Sequence, residues 1–350
     1  MDKLAVQTIF SLNLFYHTPL QLENGTLLLY TNYDTFLFHK NLYPEKVEFK
    51  YGEKSVEVSS IMQLKNGKIL GFCKDLYIFS IVKSKITISK IIKMPNTLKI
   101  NELLNVIELK SGLLLAISNN SILKIKLEEN IDNNKEVSQI YTIPREWFLE
   151  KNENMVYRCQ FHQSFNILGL PNNNILIHSY SIQQNYSRCG RHTGNYYKNK
   201  FIILDFQKNN ISYIQSYLNQ KKVNIIIMGK CICLCHKKYI EFYDINNYKY
   251  LKDIEIKNDN ISKYDENIII AVNFFEEKNL IVYNLSDINN IRYQAFKLDF
   301  VDFTYYRRHF CNYFKTPIYN LKNRKLFILF DDKAYIVEFL RPFDFKTLEK

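Results

Sequence analysis

The chain has 350 residues, a net charge of +12, and 47% hydrophobic and 15% aromatic content. That apolar content supplies a sizeable core and excludes intrinsic disorder. No window approaches the ~20 uninterrupted apolar residues of a membrane-spanning helix. The seven cysteines form no paired framework, which predicts free thiols in a reducing compartment and a cytoplasmic location. The basic excess is uneven: residues 1–150 hold 18 Lys+Arg against 16 Asp+Glu, whereas residues 151–350 hold 29 against 19.

Residues 1–20 carry one Lys, one Asp and an apolar run broken by Gln7, Thr8, Ser11 and Asn13, without a small-residue cleavage site, which speaks against a secretory leader. Within this segment Ala5–Leu14 reads as a strand. The next elements are copies of one unit, an apolar run, a tight turn, an apolar run, a polar break and a third apolar run. Ile61–Ile81 shows it most clearly, with Lys65-Asn66-Gly67-Lys68 between two apolar runs. Asn-Gly there predicts a hairpin, because both residues tolerate φ > 0. The other copies are anchored at Gly25 (Leu20–Phe38), Gly112 (Val106–Leu127), Asn173 (Phe165–Ile182), Gly229 (Ile225–Ile245), Glu266 (Ser262–Leu285) and Arg324 (Tyr319–Leu340). The copies at Gly67 and Gly229 match best: Cys73 and Tyr77-Ile78 align with Cys235 and Tyr239-Ile240 at a constant offset of 162.

Further runs lie between these units, at Lys85–Lys93, Val137–Ile143, Ile211–Tyr217, Tyr250–Ile256 and Ile291–Leu298. They are more polar and predict a fourth strand facing water on one side. The middle runs, such as Ile69–Phe72, Leu113–Ile117 and Ile268–Val272, are apolar throughout, as two-sided burial demands. A helix is expected over Thr142–Leu149, with Pro144 in its first turn. Seven four-stranded antiparallel units with two-sided burial predict an all-β, seven-bladed β-propeller over residues 1–350 as one domain, with insertions at about 128–155, 183–200 and 299–318. The N-terminal strand would close the ring beside Ala334–Leu340 and so remove a sheet edge. In this pattern the chain resembles the WD40-like and quinoprotein-like propellers. The Gly-His and Trp-Asp dipeptides of the WD40 family are absent, so the hydrogen-bonded tetrad they form is not expected.

Three segments are candidate sites. Cys231, Cys233, Cys235 and His236 offer metal-ligand chemistry, but alternation along an extended strand spreads three sulfurs too far for one tetrahedron, so packing is the expected role. From Asn154 to Leu204 there is no Asp or Glu, while Arg158, Arg188, Arg191, Lys198 and Lys200 lie inside, interleaved with Tyr186, Tyr196, Tyr197 and Phe201. Tyr186, Arg188, Arg191, His192 and Lys198 are therefore candidates for contact with an acidic partner. Arg307 and Arg308 begin a second acid-free stretch. They resemble the Arg-Arg pair with which one propeller family binds phosphoinositides, although Tyr306 and His309 replace the Phe and Gly that flank it there. The sequence has no G-x-S-x-G, P-loop, H-E-x-x-H or G-x-G-x-x-G motif, so no enzyme and no cofactor or metal is expected. The predicted function is a non-catalytic scaffold for a protein partner with an acidic surface. The alternative is polyanion binding, to RNA or an anionic membrane surface.

Overall fold

The computed structural model describes the chain except residues 1–3, 12–17, 23–24, 31–34, 39–43, 52–53, 57, 59, 73–74, 83–84, 96–102, 119–120, 128–136, 145–158, 187–191, 218–222, 237, 257–259, 274–278, 299–317, 322–323, 331–332 and 348–350. Among the described residues every regular element is a β-strand, and the strands form seven antiparallel blades of a β-propeller. Blade 1 comprises Thr18–Gln21, Leu27–Tyr30, Thr35–Phe38 and Pro44–Val47. Blade 2 comprises Ser60–Gln63, Ile69–Phe72, Leu76–Val82 and Lys85–Ile92, and blade 3 comprises Leu103–Glu108, Leu114–Ser118, Ser121–Ile125 and Val137–Thr142. Blade 4 is longer, with Cys159–Gly169, Ile175–Tyr186, His192–Asp205 and Asn210–Ile214. Blade 5 holds Asn224–Met228, Cys231–Cys235, Tyr239–Asp244 and Tyr250–Glu255, and blade 6 holds Asn260–Asp265, Ile268–Asn273, Asn279–Asn284 and Arg292–Lys297. Blade 7 combines Ile318–Leu321, Lys325–Phe330 and Lys333–Phe339 with the N-terminal strand Leu4–Ser11.

Two blades exceed the expected four strands. Lys50–Tyr51 and Lys54–Ser55 extend blade 2, joining Lys85–Ile92 through a parallel bridge, and Lys346–Thr347 extends blade 6. The expected helix does not begin at Thr142, which ends the fourth strand of blade 3; Arg145–Leu149 lie outside the described residues.

The chain divides into two compact units. One contains blades 1, 5, 6 and 7; the other contains blades 2, 3 and 4 with the turn at residues 245–249. Within the first, the N-terminal strand pairs with Lys333–Phe339 in the expected register region, from Leu4 opposite Phe339 to Ser11 opposite Lys333. Leu4 packs against a core of Ile270, Val282, Leu326, Val337 and Phe339. Within the second, the middle strand of blade 3 is buried on both faces. Leu114 and Ala116 pack with Leu70, Phe72 and Ile78 of blade 2, and Leu115 and Ile117 pack with Ile175, Ile177 and Ile202 of blade 4. Strict two-sided burial explains why these strands are apolar at every position.

The repeated hairpin has a specific turn. Leu22, Leu64, Leu109 and Leu170 each accept a hydrogen bond at the carbonyl from the anchor N–H three residues on, at 2.9–3.0 Å, and each donates its own N–H to the residue after the anchor. Gly25, Gly67, Gly112 and Asn173 are left-handed at φ +83°, +80°, +81° and +64°. The turn is thus a tight bend closed by one left-handed residue, and Asn66 does not share the positive φ that an Asn-Gly two-residue turn would require. Gly229 and Arg324 are also left-handed, so six of the seven sequence anchors mark this position, and Glu266 is the exception.

Gly71 serves a different purpose. It lies in the middle strand of blade 2 at an ordinary φ, and a Cβ there would meet Phe79 at 2.7 Å and Val58 at 2.8 Å. Phe79 is fully buried and rests against Phe49 at a ring distance of 5.0 Å, so it has nowhere to yield. Gly71→Ala is therefore expected to cost about 1–3 kcal/mol by overpacking. Gly112→Ala, where a Cβ meets nothing within 4 Å, should cost only about 1 kcal/mol of backbone strain. Urea unfolding of the two variants checks this; equal midpoints for Gly71→Ala and wild type would refute the close packing.

Candidate functional site

Blade 4 departs from the repeat. Its second and third strands run on together past the length of the other blades, from Ile175 opposite Leu204 to Tyr186 opposite His192. Its first strand follows them along the same length, Gly169 opposite Ile175 to Cys159 opposite Asn185. Its fourth strand does not: it pairs only with Phe201–Asp205. The segment read from sequence as an insertion at 183–200 is therefore mostly strand, a three-stranded ribbon continuing the blade. Polar residues such as Gln183, Gln184, Asn185 and Asn195 hid it, because they break the apolar runs that marked strands elsewhere.

The predicted site residues fall unevenly on this ribbon. Tyr186 ends the second strand and His192 begins the third, directly paired. Lys198 is half-buried on the third strand, opposite Ser181. Arg188 and Arg191 lie outside the described residues, as do Arg307 and Arg308. The ribbon contains no carboxylate from its first residue to Leu204. Lys200 places its ammonium over the Tyr213 ring at 5.7 Å, and Tyr213 and Tyr217 are among the most exposed large apolar side chains described.

At the base of the ribbon lies a buried polar cluster that the sequence reading missed. His178 is opposite Phe201 and stacks on it at 4.7 Å and 15°, with Tyr180 at 5.1 Å on the same strand. Its Nε2–H donates to Asn199 Oδ1 at 2.8 Å. Burial lowers the imidazole pKa to about 4, partly offset by the Asn199 hydrogen bond, so the ring is neutral near pH 7. Next to it Ser179 Oγ is buried without a hydrogen-bond partner among the described residues. Register could have revealed this cluster: the position of His178 relative to its hairpin is that of Phe72 in blade 2 and Ile117 in blade 3.

Blade 5 holds a second cluster. His236 and Glu241 are both fully buried, with Nε2 and Oε2 3.2 Å apart, and the Tyr243 hydroxyl donates to the same Oε2 at 3.3 Å. The backbone N–H of His236 bonds Tyr239 O at 2.8 Å, which fixes the turn that carries the ring. Its Nδ1 has no partner among the described residues. Cys231, Cys233 and Cys235 stand on the neighbouring strand. Cys233 and Cys235 are buried against Ile226, Ile240 and Phe242, in the packing role expected of them. Burial pushes all three thiols up, and at Cys231 the Asp244 carboxylate adds to the effect.

No protein-family model matches this chain, and no curated protein does. Solved structures share its fold. Virginiamycin B lyase from Staphylococcus aureus aligns with a TM-score of 0.58 and 9% identity, over 97% of this chain and 99% of that one. The extracellular domain of a putative hybrid two-component system from B. thetaiotaomicron aligns with a TM-score of 0.60 and 11% identity, over 97% of this chain and 43% of that one. A chain of the Mitotic Checkpoint Complex aligns with a TM-score of 0.54 and 9% identity, over 97% and 94%. The fold is thus that of the seven-bladed propellers, as the resemblance to WD40-like chains implied. The inference that this chain is no enzyme is corrected by the same comparison. It rested on missing motifs, and a lyase is built on the same architecture.

Proposed function

We propose that this protein is an interaction platform that docks an acidic protein partner through the ribbon of blade 4. The observation that carries this reading is the coincidence of structure and charge there. Three strands extend past the fourth, and no carboxylate occurs between Asn154 and Leu204 to offset Arg158, Arg188, Arg191, Lys198 and Lys200. A one-signed surface steers an oppositely charged partner and rejects a like-charged one. The aromatic residues Tyr213 and Tyr217 add exposed apolar area beside the cations. The propeller architecture suits such a role, and the likeness to a chain of the Mitotic Checkpoint Complex agrees with it. Free thiols fit a cytoplasmic setting.

The test is affinity capture from extract with and without RNase treatment, at low and at roughly physiological salt, with wild type and the variants Arg188→Ala/Arg191→Ala and Lys198→Ala/Lys200→Ala. The expected result is a defined acidic protein that survives RNase and is lost by both double variants. Capture of RNA or of anionic vesicles, abolished by the higher salt, would replace this reading with polyanion binding.

A further inference from the structure

After the last strand of blade 7 the chain turns back onto blade 6, and residues 340–347 lie there as a strap. Phe343 fills a box of rings, with Phe339 at 4.9 Å, Tyr264 at 5.7 Å and Phe296 at 6.4 Å, each met edge to face. The Arg324 guanidinium lies over the same ring at 5.7 Å. Side chains also hold the strap's backbone: the Asp344 N–H donates to Gln294 Oε1 at 2.8 Å, and the Arg324 guanidinium donates to Arg341 O. Ladder pairing is confined to Lys346 with Tyr293 and Thr347 with Arg292. An aromatic anchor, clamped backbone and a short added strand are the means by which a domain holds a linear peptide. We infer that blades 6 and 7 form a peptide-docking groove, that the strap is its inhibitory occupant in cis, and that an extended partner segment with two aromatic residues flanking an aspartate displaces it in trans.

The strap is the kind of segment that exchanges. Arg341, Pro342, Asp344 and Lys346 are exposed, and Phe343 and Phe345 are only half-buried. Such a segment opens at a small part of the free energy of global unfolding. The groups that grip it belong to blades 6 and 7, so the groove is complete without it. Opening uncovers Phe296 and Phe339, both buried beneath the strap, and leaves the buried Gln294 without the N–H it accepts. An apolar patch with an unsatisfied acceptor favours a new occupant. That occupant must repeat what the strap supplies: a ring for the box, a backbone N–H for Gln294, and extended backbone beside Arg292–Lys297. A carboxylate between the two rings suits the setting, because the cations Arg292 and Arg324 flank the strap. The tether gives the strap an effective concentration on the order of millimolar, so a free segment competes poorly until the strap is loosened. The groove is built from other blades than the ribbon, and the inference is independent of the docking role proposed for blade 4.

The probe is a dye-labelled peptide copying residues 340–347, with a control peptide in which alanine takes the place of Phe343. Fluorescence anisotropy reads both against the full chain and against two variants that loosen the strap, Phe343→Ala and Asp344→Pro. The first removes the anchor. The second removes the N–H that Gln294 accepts and, at an exposed position, leaves the core intact, so it carries the test should the first variant fail to fold. Each variant is expected to bind the copying peptide at least about tenfold more tightly than wild type does. The alanine peptide should bind every chain at least about tenfold more weakly than the copying peptide. Hydrogen exchange should show amides of residues 292–297 gaining protection when the peptide binds Asp344→Pro. Equal affinity of wild type and both variants for the copying peptide would overturn inhibition in cis. Failure to discriminate between the two peptides, protection confined to other blades, or no binding to either variant would overturn the groove itself.

Discussion

Glu241→Ala is expected to destabilise this protein by about 3–5 kcal/mol, the cost of leaving half of a buried pair uncompensated. The carboxylate sits at the centre of blade 5, opposite Leu234 on one neighbouring strand and Asp253 on the other. It takes two donors at one oxygen, His236 Nε2 and the Tyr243 hydroxyl. Removing it takes away the partner of His236 Nε2 in a region from which water is excluded. The imidazole is the more exposed to this loss, since its Nδ1 already lacks a partner among the described residues. A methyl in place of the carboxylate also leaves a void between packed strands, which adds to the cost. The double variant His236→Leu/Glu241→Met should behave differently. It replaces both partners by apolar groups of similar volume, and such exchanges are commonly neutral. Urea unfolding of His236→Leu, Glu241→Met and the double variant closes a cycle. A strongly non-additive cycle, with the double variant near wild type, is the expected outcome. Additive losses, or a cost of less than about 1 kcal/mol for Glu241→Ala, would show that the pair is not coupled.

The two buried clusters and the blades were legible in the sequence to very different degrees, for reasons that lie in the residues. The hairpins were readable because each sets a tight turn between two apolar runs, and Gly25, Gly67, Gly112 and Asn173 each take the left-handed φ that the turn demands. The middle strands were readable because burial on both faces permits only apolar residues. The fourth strands were readable because their half-burial leaves a more polar run, as in Arg292–Lys297, where Gln294 and Phe296 are buried while Arg292, Ala295 and Lys297 are exposed. The ribbon of blade 4 was not readable, since strands outside the packed blade are under no pressure to be apolar. Glu241 and His178 were missed because a single polar residue in an apolar run looks like noise. Register removes that ambiguity: at the offset of 162 that relates blades 2 and 5, Glu241 occupies the place of Phe79, a fully buried ring. A charged group where the repeat demands a ring is a retained polar site, and its partner His236 is found at the turn that precedes it. The exclusion of catalysis failed for another reason. A motif list reports chemistries that share local sequence, whereas a propeller assembles its sites from separate blades.

Acidification is expected to weaken the folded state through His178, by about 3 kcal/mol between pH 7 and pH 4. The folded-state pKa is about 4, against 6.5 for an unperturbed imidazole, because burial disfavours the charged ring more than the Asn199 hydrogen bond favours it. Above pH 6.5 both states hold a neutral ring and the contribution is fully present. As the pH falls from 6.5 towards 4 the unfolded chain binds a proton that the folded chain does not, so stability falls with pH. Below about 4 both states are protonated and the loss levels off. Carboxylates titrate in the same window, which makes the difference between variants the useful quantity. His178→Phe removes the titration and restores the residue type that blade 2 carries at this register, Phe72. His178→Gln removes it while keeping a donor for Asn199. Both variants should lose less stability than wild type over this range, by about 3 kcal/mol, as read from urea unfolding at several pH values. Parallel pH profiles for all three proteins would show that the ring is hydrated in the folded state and that the stack on Phe201 does not shield it. If the profiles diverge as expected, His178 ties blade 4 to pH at the point where its strands leave the packed blade and become the ribbon.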